Sequence, residues 1–261
     1  MKYWLLVLGV ICLLSTALKA EEQKPITLYI GIDKQRYPYV WMDKYQKAQG
    51  ILSERLNQVC KKINAQCEFV TGDFYDLVQQ IQTYQLNGVL VIDQVVFPDI
   101  DQLSLAAPLC QFQPVFIQAK EYQKRNKPED FQRTILGVQQ GSVLHFYLLD
   151  HYSNFAQLRP YETLESGLFD LIVGRIDALV ADKAFYQSRV AATILGQENQ
   201  TPVLVATPMS VEFATPSTMM LAISSSNESL FNHLRQALQT LSQPLQGCAA
   251  LVTDTVKPPP D

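Results

Sequence analysis

Apolar positions along the chain recur with two alternating periods. Thr27 to Ile32 is a short apolar run of strand type, and Asp33 to Lys47 is a polar, aromatic stretch that reads as a loop. From Gly50, the residues Leu52, Leu56, Val59 and Ile63 fall at helical spacing, and Gln66 to Val70 reads as a strand. Phe74, Leu77, Val78 and Ile81 form a second helical stripe, and Gly88 to Ile92 is a strand of buried type. This β-α-β-α-β order is the grammar of an open α/β sheet.

The grammar then restarts. Ile135 to Val138 predicts a strand, Gly141-Ser142 the opening of a helix, and Leu164, Leu168, Leu171 and Ile172 one helical face that Gly174 stops. Ile176 to Val180, Val203 to Ala206 and Met219 to Ile223 predict further strands. A last amphipathic helix spans Glu228 to Leu241, with Leu230, Leu234, Leu238 and Leu241 on one side. Two α/β units of similar size follow, linked outward by Gln111 to Lys120 and on the return by roughly Leu204 to Phe213. Lys257-Pro258-Pro259-Pro260-Asp261 predicts a disordered tail.

The N-terminus changes the composition. Lys2, an apolar run from Trp4 to Leu14 and small residues up to Ala20 match a secretory signal over residues 1–20, cleaved after Ala20 or Ala17. The apolar run is shorter than the roughly 20 residues a bilayer-spanning helix needs. The whole chain has 261 residues and a formal charge of −4. Loss of Lys2 and Lys19 with the signal leaves 19 basic against 25 acidic side chains, a charge of −6. No basic stripe is present, which argues against a nucleic-acid partner. Cys12 leaves as well, so an exported chain keeps Cys60, Cys67, Cys110 and Cys248, an even count that suggests two disulfides. Of three pairings, closeness in sequence favours Cys60–Cys67, which leaves Cys110–Cys248. No cysteine pair has the usual two-to-four-residue spacing of a zinc site, so no metal is expected.

Several stretches, taken in order and spacing, resemble the type II periplasmic solute-binding proteins of the polar amino-acid group (bacterial solute-binding family 3). They are Gly31-Ile32-Asp33 with Tyr37-Pro38-Tyr39, Gly50 with Cys60 and Lys61 to Cys67, Gly137-Val138 with Gly141-Ser142, and Gly174 to Asp182. The last is nearly a direct match to a signature of that family. The resemblance covers nearly all of the chain after residue 20. It implies a two-lobed α/β fold, each lobe an open sheet, joined by two crossing strands. Lobe one would take residues 25–112 and 213–255, lobe two residues 113–212, and residues 256–261 would form the tail.

The resemblance also implies a cleft that takes a small polar ligand and closes over it, without a cofactor, in a monomer that serves a membrane ABC permease or a sensor. Asp182 stands at the position of the acid that meets a ligand ammonium, and Ser142 where helix-start amides meet a carboxylate. Phe74 and Tyr37 or Tyr39 stand where aromatics pack on the ligand, Asp33 at a side-chain-selecting position, and Arg36 where an aromatic stacker is common. The residues themselves allow plainer roles: Asp182 as a strand-end cap, Ser142 as a helix N-cap, Phe74 as core. The chain also departs from the family. No arginine occurs from Asp76 to Lys120, and Asp93 and Asp99 lie where serines, threonines and then a carboxylate-clamping arginine are usual. With Asp33, Asp93, Asp99 and Asp182 on one cleft, a cationic or strongly polar solute is expected over an anion.

Two other readings are open at this level. One is a protein that kept the fold as a signalling or interaction module without amino-acid binding, motivated by the missing arginine. The other is a cleft enzyme of the dehydratase type, for which Asp93, Asp99 and Asp182 supply carboxylates but no specific pattern. His145 and His151 are six apart, which fits neither an i, i+4 pair nor a usual zinc pattern, so His145 reads as a helix-face residue; His233 reads as surface. The exported protein is therefore expected to carry no free thiol. Thiol titration of unreduced, unfolded protein should count none, and a count of two or more would overturn the pairing.

Overall fold

The computed structural model describes residues 25–33, 39–92, 103–191, 203–209 and 217–240. The expected signal at 1–20, the tail at 256–261 and Cys248 lie outside them.

The first lobe starts with β1 (Ile26–Asp33), followed by a short hairpin, β2 (Trp41–Met42) and β3 (Ala48–Gln49). Next come α1 (Ile51–Lys62), β4 (Ala65–Gly72), α2 (Phe74–Gln82) and β5 (Gly88–Ile92). β6 (Leu103–Phe112) then leads, across Gln113 alone, into β7 (Pro114–Ala119). The second lobe continues with β8 (Ile135–Gln139), α3 (Val143–His151), β9 (Gln157–Tyr161), α4 (Leu164–Ile172) and β10 (Ala178–Asp182). A three-residue α5 (Lys183–Phe185) runs on as a π-helical turn to Ala191, and β11 (Leu204–Pro208) follows. β12 (Ser217–Ser224) and α6 (Glu228–Gln239) return to the first lobe.

The two sheets share one plan. The first has the order β4-β1-β5-β12-β6 and the second β11-β7-β10-β8-β9. In each, the first strand of the unit lies between two parallel partners, and the strands beyond run antiparallel. Such a sheet puts its binding crevice at the carboxyl ends of the parallel strands, where the chain leaves to opposite sides.

Burial explains the strand patterns. β1 lies in the interior of its sheet, and its last four residues are buried consecutively, as expected for a strand covered on both faces. β7 shows the period of two: Val115 and Ile117 pack in one cluster with Leu171, Leu179 and Phe185, while Phe116 points to the other face. There Phe116 meets Phe131 and Tyr152, ring centroids 4.3 and 5.7 Å away. The α2 stripe Phe74, Leu77, Val78 and Ile81 is buried as its spacing predicts.

Some elements differ from the sequence reading. The stretch 33–47 contains β2, and Tyr39, Val40 and Trp41 within it are buried. The outward link is two long strands with one residue between them. β9 escaped notice because it is a half-exposed edge carrying Pro160, so it lacks both a clean alternation and an apolar run. β10 starts two residues later than expected: Gly174 takes a left-handed conformation (φ 74°), and Asp177 is used to accept the Ile135 N–H at 2.8 Å.

Cys60 and Cys67 are bonded, tying the end of α1 to β4. Cys110 is also disulfide-bonded. Gly50 is fixed by a close approach. At φ 99° it lets the Tyr39 carbonyl accept the Leu52 N–H at 3.0 Å, and a Cβ there would stand 2.4 Å from the Tyr39 oxygen. Gly50→Ala should therefore cost about 1–3 kcal/mol of stability, read as a lower midpoint in chemical denaturation; an unchanged midpoint would contradict the clash.

Candidate functional site

Three of the expected site residues stand at the carboxyl ends of parallel strands. Asp33 is the last residue of β1, Asp182 the last of β10, and Ser142 follows β8. Strand direction thus brings acids from both lobes to one crevice.

Asp182 is buried and held by donors from three segments. Its Oδ1 accepts the Tyr39 hydroxyl at 2.8 Å and the Ala184 N–H at 2.6 Å, and its Oδ2 accepts the Gln113 N–H at 2.9 Å. It caps the N-terminus of α5, joins the link between β6 and β7, and reaches Tyr39 of the first lobe. A buried carboxylate needs such partners, because desolvating it alone is costly.

Asp33 crosses in the other direction. It is fully buried, and its Oδ2 accepts the Val143 N–H at 2.9 Å at the first turn of α3. A carboxylate at a helix start meets unsatisfied N–H groups and the positive end of the helix dipole. Ser142 is the N-cap of that helix: its Oγ accepts the His145 N–H at 3.2 Å and donates to the Gln139 carbonyl at 2.8 Å.

Two further contacts join the lobes here. The Phe74 N–H at the start of α2 donates to the Gly141 carbonyl at 3.2 Å. Tyr75 meets Phe146 edge to face, with centroids 4.4 Å apart. Sequence reasoning missed this second pair; the signal was a Tyr lying off the buried stripe of α2, partly exposed and so open to an aromatic partner. Phe74 itself is buried at the head of its stripe. Beside Asp182 lies a small cavity of about 40 Å³ lined in part by Tyr39, Gln139, Ser142, Leu164 and Phe185.

The structure brings together Asp33, Tyr39, Ser142 and Asp182, with Phe74 adjoining. Arg36, Tyr37, Asp93 and Asp99 lie outside the described residues. Among the described residues, no group of three or more His, Cys, Asp or Glu side chains could hold a metal ion, and no helix is long and apolar enough to cross a membrane. Chemically, the arrangement offers two buried carboxylates and the Tyr39 hydroxyl, groups suited to charge-assisted hydrogen bonds.

No family model matches the chain. An arginine-binding periplasmic protein of Mannheimia haemolytica is 26% identical over 146 residues, covering 56% of this chain and 58% of that relative. The match thus spans less than two thirds of that protein. A lysine/arginine/ornithine-binding periplasmic protein of Escherichia coli is 23% identical over 184 residues, 70% of this chain and 71% of that one. Among solved structures, an ancestral arginine-binding protein bound to arginine superposes with a TM-score of 0.64 at 18% identity, covering 88% of this chain and 98% of that one. An ancestral amino acid-binding protein described as a precursor of cyclohexadienyl dehydratase gives 0.63 at 19% identity, with 87% and 94% covered. The chain is thus similar, at low identity, to periplasmic amino-acid-binding proteins and shares the two-lobed fold of the solved structures.

The fold changes the behaviour of His145, a titratable group at this seam. It is half-buried, and its Nδ1 accepts the Gly141 N–H at 3.2 Å. Burial lowers its pKa below the ordinary value, while the nearby Asp73 carboxylate pulls upward. A histidine with a lowered folded pKa binds protons more readily when unfolded, so it subtracts stability as pH falls through about 6.5 and below. Wild type should lose more stability between pH 7.5 and 5.5 than His145→Gln, whose amide oxygen can still accept from Gly141. Denaturant midpoints at the two pH values test this; equal losses would remove His145 as the cause.

Proposed function

We propose that the protein is a periplasmic solute-binding protein that captures a small cationic, amino-acid-like solute between its lobes and presents it to an ABC-type permease or a sensor in the membrane. The observation that carries the reading is the pair of buried carboxylates, Asp33 and Asp182, at the facing carboxyl ends of β1 and β10. Carboxylates at a closed crevice favour cations and repel anions. The relatives support the same class, since those named above bind arginine, or lysine, arginine and ornithine. The export signal expected from the sequence fits the periplasmic location, and the local Cys60–Cys67 bond fits an oxidising compartment. The likeness to a dehydratase precursor is to an amino-acid-binding ancestor, and the relatives named above are binding proteins, so binding without catalysis is the reading we adopt.

Calorimetry against arginine, lysine, histidine, glutamine and glutamate tests it. The basic solutes should bind and glutamate should not, and Asp182→Ala should weaken binding at least tenfold. If none of the five binds wild type in preference to Asp182→Ala, the binding reading is lost.

A further inference from the structure

We propose that Asp33 is a built-in anion for the start of α3, and that the cleft therefore prefers an amine or guanidine that carries no free α-carboxylate over the matching basic amino acid. The inference rests on the binding reading above and narrows its ligand.

The ground for it is where the amides of one turn donate. Between Gly141 and Phe146, the Gly141 N–H goes to His145 Nδ1, Ser142 to the Gln139 carbonyl, Val143 to Asp33, His145 to Ser142 Oγ, and Phe146 to the Ser142 carbonyl. Five of these six amides donate within the chain, and the Ser142 hydroxyl donates to Gln139. A helix start in a cleft wants an anion, and here the chain supplies one. Asp33 arrives from the opposite sheet, buried, with its oxygen 2.9 Å from the Val143 nitrogen.

A ligand carboxylate brought to this turn would meet amides that mostly donate within the chain already and a like charge a few ångströms off. No arginine between Asp76 and Lys120 offers it another clamp from the first lobe. A cation meets the reverse: two carboxylates with their positions fixed by backbone amides. Removing the α-carboxylate from a basic amino acid leaves the cationic head and deletes the repelled group. The selection thus follows from one side chain, Asp33, acting in place of part of the ligand.

The test compares matched pairs on the full exported chain by calorimetry at pH 7.5: L-arginine against agmatine, and L-lysine against cadaverine. Each amine should bind wild type at least tenfold more tightly than its amino acid. In Asp33→Asn an oxygen remains for Val143 but the charge is gone, so the amine-over-amino-acid ratio should fall at least tenfold. Amino acids that bind wild type as tightly as their amines would overturn the inference while leaving the binding reading intact. A ratio unchanged in Asp33→Asn would overturn the assignment to Asp33. If none of the four solutes binds wild type, the cationic reading itself fails and this inference with it. Should Asp33→Asn lose its cooperative unfolding transition, the wild-type ratio alone decides.

Discussion

The Asp182 carboxylate ties the molecule together. It lies at the end of β10, accepts the amide of Gln113 between β6 and β7, caps α5 and accepts the hydroxyl of Tyr39. Those donors come from the first lobe, the link between lobes and the second lobe. A carboxylate out of water must be matched by donors in definite directions, so burying this one fixes where the link, the short helix and the Tyr39 loop can lie. The Asp33 bond to Val143 works the same way from the other side. Together they set the two sheets with their carboxyl ends facing.

Much of this was legible in the sequence because the signals were local. The period-3.6 stripe of Phe74, Leu77, Val78 and Ile81 and the buried run at Gly88–Ile92 need only the residues nearby, and they produced α2 and β5. The signature from Gly174 to Asp182 decomposes into ordinary parts. Gly174 takes the left-handed stop, Arg175 pairs with Asp170 at 3.0 Å, Ile176 is core, Asp177 ties β8, and Asp182 caps α5. What the sequence hid was long-range. Tyr39 lies 143 residues from Asp182, and Asp33 lies 110 from Val143. No periodicity links such positions, so the partner of each acid could not be read, and a residue on the ligand's side of the ledger turned out to be tied to the chain. Tyr39 shows the same limit: its polar neighbours in sequence marked it as loop, while it is buried and its hydroxyl meets Asp182 of the other lobe.

Closing by internal bonds changes what a solute must supply. Moving a two-state protein from one part in a hundred to ninety-nine takes a differential affinity of about 5.5 kcal/mol. A hydrogen bond to a charged group is worth about 1.5–3 kcal/mol net, and separating the sheets would break two of them, Tyr39 to Asp182 and Val143 to Asp33. Those bonds favour the closed arrangement whether or not a solute is present. A solute that displaced either one would gain only the difference between its bond and the one it replaced. A solute that donates to these carboxylates without displacing either bond keeps both and adds its own, so it closes the protein with less affinity of its own. For the cleft of this chain, the efficient ligand is one that donates to Asp33 and Asp182 and competes with neither Tyr39 nor Val143. That requirement favours a compact cation, with its donors spread in several directions, over a zwitterion, whose carboxylate has to contend for the same amide that Asp33 already holds.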